Sequence, residues 1–241
     1  MTLSVRTQPP AVMRPYDLGM TAEAMELDTA QGLSMAEKAY VAIRDRLILL
    51  DIRPNDPIDD GALAQELGIG RTPVREALKR LEVDRLVVTY SRRGTFATGV
   101  DIADLAGISE IRALLEPLAA RRAAERAPRS TRADLDDLAT RTETLNVGTL
   151  DRAELMRWDM TVHRAIYRAA ASQHLEDVLI RYDNLATRIF CLYLDQLPDV
   201  EDHVREHTEL LRTIATGQAD RAEELSREHV LGFEKAVRAA I

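Results

Sequence analysis

Residues 62–88 read ALAQELGIGRTPVREALKRLEVDRLVV, and SRRGTF follows at 91–96. Val74, Ala77, Leu78 and Leu81 recur at helical spacing, which predicts a helix from about Thr72 to Asp84. Arg71, Arg75 and Lys79 fall on its opposite face. Gly68 and Gly70 mark a tight turn before it, and a short helix over 60–67 lies on the far side of that turn. Leu86–Tyr90 and Thr95–Thr98 read as two short strands around a turn at Ser91–Gly94. Upstream, Tyr40, Ile43, Leu47 and Leu50 share one face of a helix over about 35–50, ended by Pro54 and Pro57.

Three helices followed by a hairpin is the order of a winged helix-turn-helix, whose turn contains glycine. The third helix of that motif enters the major groove of double-stranded DNA by its N-terminal residues, here Arg71, Thr72 and Arg75. Arginine can bind guanine bidentately at O6 and N7. Thr72 is expected to cap the helix and reach a phosphate. In the hairpin, Arg92 and Arg93 would lie beside the DNA backbone or minor groove, with Gly94 permitting the turn.

Charge supports a local nucleic-acid face. The 241 residues carry a net −8, but residues 34–98 carry +1, residues 99–241 carry −7, and Arg71–Arg93 alone carry +4. A basic patch beside an acidic region fits a DNA-binding module fused to something else. One cysteine, Cys191, cannot form an internal disulfide, which fits a reducing cytoplasm. No stretch approaches the roughly 18 apolar residues of a membrane span, and no basic-then-apolar leader opens the chain. Residues 1–33 lack a sustained period and contain Pro9, Pro10, Pro15 and Gly32, so they are expected to form a flexible tail.

From Asp101 the pattern is helical, with helices expected near 101–127, 131–146, 151–171, 174–195, 199–216 and 219–240. Pro128, Gly148, Ser172, Pro198 and Gly217 sit at or near the breaks. The expected fold is therefore mostly α: a winged helix-turn-helix over 34–99 and an all-α antiparallel bundle over 101–241.

Ionisable residues occupy core positions of that bundle. At about 100° per residue, Asp159 and His163 fall on or beside the face of Leu155, Trp158, Val162 and Ile166. His207 falls between Leu210, Leu211 and Ile214, and His229 between Leu225, Phe233 and Ala236. Around a turn at Gly217–Gln218 the two histidines stand at nearly the same height. A buried polar cluster needs compensation. A divalent ion supplies it, and imidazole with carboxylate suits Zn, Ni, Fe or Mn. The alternative is a set of separate, internally satisfied core histidines. His203, one turn from His207, is a substitute or supporting group.

The quoted stretch resembles the GntR regulators, with their R-T-P-V-R-E-A-L recognition helix and R-G wing. That resemblance implies DNA contacts by Arg71, Thr72, Pro73, Arg75, Arg93 and Gly94. Gly70 stands where the family often has serine or threonine, and Gly61 where a charged contact can occur. Asp51 and Asn55 replace common loop glycines. The remainder resembles the effector-binding FCD domain of the FadR subfamily, through Arg112, Leu115 and Glu116, through WDMTVH at 158–163, and through the closing hairpin at 205–230. Six helices resemble its VanR-type branch. The resemblance implies that Asp159, His163, His207 and His229 hold a divalent metal ion.

An ion so held leaves coordination positions open to the carboxylate of a small organic acid, whose remainder Arg112 and Arg188 are candidates to pair. The expected function is a ligand-responsive repressor acting as a homodimer on a palindromic operator, since one recognition helix reads only a few base pairs. Two other classes compete. A metal-dependent hydrolase-like enzyme would need a positioned base, and none stands out. A constitutive DNA-binding protein would use the bundle for structure alone.

Overall fold

The computed structural model describes residues 32–197 and 200–239. The expected tail lies outside them up to residue 31, as does the break at Pro198. Helix α1 spans Met35–Ile48, α2 Asp60–Glu66 and α3 Arg71–Val83. Ser34 and Glu37 start α1 with a reciprocal capping box, and the Asp59 carboxylate accepts from the amides of Gly61 and Ala62 to start α2. Their apolar faces, with Leu86, Val87 and Ala97, close one core around Ile43, Leu47, Val74 and Leu81.

Two details depart from expectation. Helix α1 ends before its prolines: Leu49 caps it and Leu50 turns left-handed at φ 65°. Thr72 does not cap α3. Gly70 holds the cap position with no side-chain bond, and Thr72 is the second helical residue. The wing has the expected hairpin, β2 (Val87–Tyr90) and β3 (Gly94–Ala97). A third strand, β1 (Pro57–Ile58), pairs antiparallel with the other edge of β3, Pro57 opposite Phe96 and Ile58 opposite Thr95. Two residues that begin with proline carry no strand period, and proline suits such an edge because it has no amide to donate.

The second core is built by α4 (Asp104–Arg126), α5 (Arg129–Thr144), α6 (Arg152–Ala169), α7 (Gln173–Tyr193), α8 (Val200–Ala215) and α9 (Ala219–Ala239). These are the six expected helices, within a few residues at each end. Asp151 and Glu154 cap α6 reciprocally, and Trp158 donates its indole N–H to Thr142 Oγ1 at 3.1 Å. Gly217, at φ 78°, reverses the chain between α8 and α9; an added Cβ would also stand 2.8 Å from the Arg132 guanidinium. This hairpin brings His207 and His229 level.

Helix α7 joins the two cores. Leu185 packs against both. Arg188 is 1% exposed, and its guanidinium donates to the Leu47 carbonyl at 3.0 Å, the Thr98 hydroxyl at 2.6 Å and the Thr98 carbonyl at 2.8 Å. Leu47 lies in the last turn of α1, where carbonyls lack helical partners and the helix dipole favours a cation. Arg188 thus caps α1 from the other core. Burial with neutral partners pulls its pKa down to about 10. Arg181 and Asp84 add an ion pair at 3.4 Å across the same junction. Arg188→Met is expected to lower global stability by about 2–4 kcal/mol, because buried carbonyls lose a charged donor. Urea denaturation followed by circular dichroism measures this; an unchanged midpoint contradicts the bridging role.

Candidate DNA-reading face and candidate metal centre

Arg71 and Thr72 open α3, and Arg75 follows Arg71 by one turn on the same face. All three are exposed, and Pro73 is half-buried at the helix start. With glycine at the cap, the amides of Arg71 and Thr72 receive no side-chain cap, and Pro73 has no amide to satisfy. One carboxylate, that of Asp60, holds both arginines: Arg71 Nη2 donates to one oxygen at 2.7 Å, and Arg75 Nε donates to the other. Arg93 and Gly94 are exposed at the tip of the wing, where Arg92 and Gly94 take left-handed backbone at φ 63° and 95°. The Arg93 guanidinium lies 5.8 Å from the Tyr90 ring centre.

In the bundle, α6 supplies Asp159 and His163 one turn apart, α8 supplies His207 and α9 supplies His229. All four are buried, and one ligand atom from each lies within 4.8 Å of every other. His163 Nε2 and His207 Nε2 are 3.2 Å apart. Asp159 Oδ1 lies 3.9 Å from His163 Nε2 and 3.7 Å from His207 Nε2. Adjacent ligands on an octahedral ion with bonds of about 2.1 Å stand about 3.0 Å apart, so slight contraction closes this set on a cation.

The outward nitrogens explain why the rings face this point. His207 Nδ1 donates to the Val204 carbonyl at 3.1 Å, and a carbonyl only accepts, so Nε2 carries the lone pair. His229 Nδ1 donates to Glu206 Oε2 at 2.9 Å, with the same consequence. His163 Nδ1 lies 3.4 Å from Glu116 Oε2 and 3.1 Å from the Tyr167 hydroxyl. Hydrogen bonds of this kind orient metal-binding histidines. Asp159 Oδ1 and His229 Nε2 have no hydrogen-bond partner although buried. Orphaned acceptors aimed into a dry core are what a cation would satisfy.

The protonation pattern agrees. Burial drives His207 and His229 well below the usual imidazole range, so both are neutral. Burial raises Asp159 to about 6. Burial alone would lower His163, but Glu116, Asp183 and Asp159 outweigh it and raise it to about 9. The His163 Nε2 proton then bridges to His207, at the place a metal ion would take.

Around this set lies a second buried network. Arg112, on α4, donates to Glu116 Oε1 at 2.5 Å and to Asp183 Oδ1 at 3.4 Å. Burial disfavours the Glu116 charge, but Arg112 and His163 overcome that and hold it down to about 2. Arg112 thus stands beside the ligand set with two carboxylates already engaged. Arg188, expected as its companion, is instead committed to Leu47 and Thr98 at the junction.

His203 takes the supporting position: its Nε2 is 3.6 Å from Asp159 Oδ1, and its ring stacks on His229 at 4.3 Å with an interplanar angle of 16°. His203, Glu206 and His229 also bring one ligand atom each within 4.8 Å of one another, so His203 stands beside the four-residue set as a second imidazole of the same centre. Sequence reading missed Glu206, Asp183 and Tyr167. Asp183 had a signal, a carboxylate within the buried stripe of α7. Glu206 had none, because its carboxylate is mostly exposed.

Comparison with known proteins places these features in a family. Residues 35–97 match the model of the bacterial regulatory proteins of the gntR family, and residues 107–232 match the FCD domain. The Nta operon transcriptional regulator of Aminobacter aminovorans is 31% identical over 59% of this chain and 66% of its own. The transcriptional repressor GlaR of Escherichia coli is 25% identical over 80% of this chain and 90% of its own. Among solved structures, E. coli McbR/YncC superposes with a TM-score of 0.74 at 18% identity, covering 86% of this chain and 98% of that one, which shows the fold. The relatives are named as regulators of transcription, not enzymes. This chain belongs to the GntR family of transcription regulators and carries the FCD type of C-terminal domain.

Proposed function

We propose that this regulator is a cytoplasmic, ligand-responsive repressor that binds a palindromic DNA operator as a homodimer and senses a small organic acid at a bound divalent metal ion. The observation that carries the reading is the convergence of Asp159, His163, His207 and His229 on one point, with every outward imidazole nitrogen held by a partner. GlaR and RspR of E. coli, both named repressors, favour the repressor role.

When bound, the ion would supply Lewis-acid attraction for a carboxylate. Asp159 and the three histidines would hold it. Glu206, Val204 and Glu116 keep the imidazoles aimed inward. Arg112 supplies positive charge beside the site, and an incoming anion would compete with Glu116 and Asp183 for it. Helix α7 then links site to reader, since Asp183 and Arg188 lie on that one helix.

Ligation needs deprotonated groups. Between about pH 6 and 9 each ion should release one proton, that of His163, and below about 6 a second, from Asp159. Affinity therefore rises with pH through this window. Titration with Zn²⁺ in buffers of different ionisation enthalpy counts the protons; binding without proton release contradicts the assignment. His207→Ala should lower metal content and stability together while leaving effector-free DNA binding largely intact. Elemental analysis and thermal unfolding test this; metal retained at full stoichiometry by the variant overturns it.

For the reader, Arg71→Ala and Arg75→Ala should each weaken specific DNA binding by about 1–3 kcal/mol if the arginine reads a base. Titration of a duplex selected by the wild-type protein checks this, and unchanged affinity in both variants refutes it. Dimerisation has a candidate surface: Leu114 and Leu118, one turn apart on α4, are 65% and 43% exposed, and Leu231 on neighbouring α9 is 50% exposed. The wild type should sediment as a dimer at micromolar concentration and Leu114→Glu/Leu118→Glu as a monomer. A monomeric wild type contradicts the reading.

A further inference from the structure

The recognition face carries an acid where DNA-binding surfaces favour bases. Asp60 is the first residue of α2, and its carboxylate bridges Arg71 and Arg75, the two arginines of α3 that share the outward face. Capping does not account for it, because Asp59 already accepts from the amides of Gly61 and Ala62. Both guanidiniums remain about 60% exposed. Arg75 is held through Nε, which leaves its two terminal nitrogens free as a fork. Arg71 is held through one hydrogen of Nη2, which leaves the other Nη2 hydrogen paired with a neighbouring N–H along one edge of the guanidinium. Each keeps a donor pair of the kind that reads guanine.

Gly61 lies beside this arrangement. A Cβ at Gly61 would stand 3.2 Å from Asp59 Oδ1, a tight approach, and 3.8 Å from Nε and Cζ of Arg71, an ordinary contact.

We propose that Asp60 is a specificity-determining positioning residue: it fixes Arg71 and Arg75 as one pre-oriented pair and sets a negative charge against indiscriminate phosphate binding. The inference rests on the proposed DNA-reading face. Two physical effects combine. A free arginine loses rotamer freedom when it docks on a base, and a carboxylate that already orders two of them removes part of that loss. Non-specific binding comes from phosphate neutralisation, and a carboxylate between two arginines weakens it for every sequence alike. Asp60 thus favours matched sites over all others.

The test uses the full-length wild type, Asp60→Asn, Asp60→Glu and Arg71→Ala. A randomised duplex pool first yields the wild-type motif. Affinities are then measured for that duplex and for poly(dI-dC) across a salt series. Asp60→Asn should bind poly(dI-dC) several-fold tighter, with a steeper salt slope by about one ion. Its ratio of specific to non-specific affinity should fall about tenfold, and its own selected motif should lose information at the bases opposite the two arginines. Asp60→Glu, which keeps the charge, should retain wild-type affinity for poly(dI-dC). A wild-type ratio and motif in Asp60→Asn overturn the proposal. If Arg71→Ala selects the wild-type motif, the reading face itself is wrong, an outcome distinct from failure of Asp60 alone. Loss of the helix dipole contribution would lower stability but would not sharpen non-specific binding, so thermal unfolding separates that role.

Discussion

Burial of charge inside the helical bundle is the constraint on which the other features depend. Asp159, His163, His207 and His229 lie in a core of leucine, valine and isoleucine, and an acid with three imidazoles does not stay in such a place without compensation. The surrounding residues fit that demand. Arg112 neutralises Glu116, Glu116 holds His163, and Asp183 faces Arg112. Without these partners the buried charges would stand uncompensated. In the proposed function a cation would take the place of the proton shared by His163 and His207.

The junction between the cores bears on how the proposed site would act at a distance. Coupling needs an element that both sites bias. Helix α7 contacts both cores. Asp183 reaches the charged network, Phe190 stacks on the rings of His203 and Phe233, and Arg188 ends on α1 and on the residue following the wing. An arginine without a carboxylate, held by two carbonyls and a hydroxyl, is strong while dry and weakens when water enters. In the proposed function, α7 is the element that would carry a change at the site to the N-terminal domain.

Much of this was legible in sequence, and the gaps have physical causes. Helix periods located every long element, because each buries one broad apolar stripe. The helical wheel brought Asp159, His163, His207 and His229 to the core, and the turn at Gly217 set two of them level. Strand β1 escaped notice because two residues show no alternation. The end of α1 was assigned to Pro54 and Pro57, while the chain leaves the helix through a left-handed Leu50, for which no residue signal exists. Asn55, noted as replacing a glycine, does adopt the left-handed backbone at φ 70° that glycine would favour. Arg188 shows the main limit. Its position on a buried stripe is readable from the period, but whether a buried arginine meets a ligand or the carbonyl of another domain depends on docking that local sequence does not encode. Glu206 is the converse: an exposed acid on a polar face becomes meaningful once His229 of the neighbouring helix lies beside it.

The central claim is that the four converging side chains form a metal centre. X-ray absorption spectroscopy on full-length protein reconstituted with one equivalent of Zn²⁺ addresses it most directly. The account predicts imidazole backscattering from about three histidines, with oxygen and nitrogen donors at about 2.0–2.2 Å, and loss of part of that signal in His229→Ala. A spectrum with oxygen donors alone, or one unchanged by that substitution, would place the ion elsewhere and leave the cluster as a charged core feature.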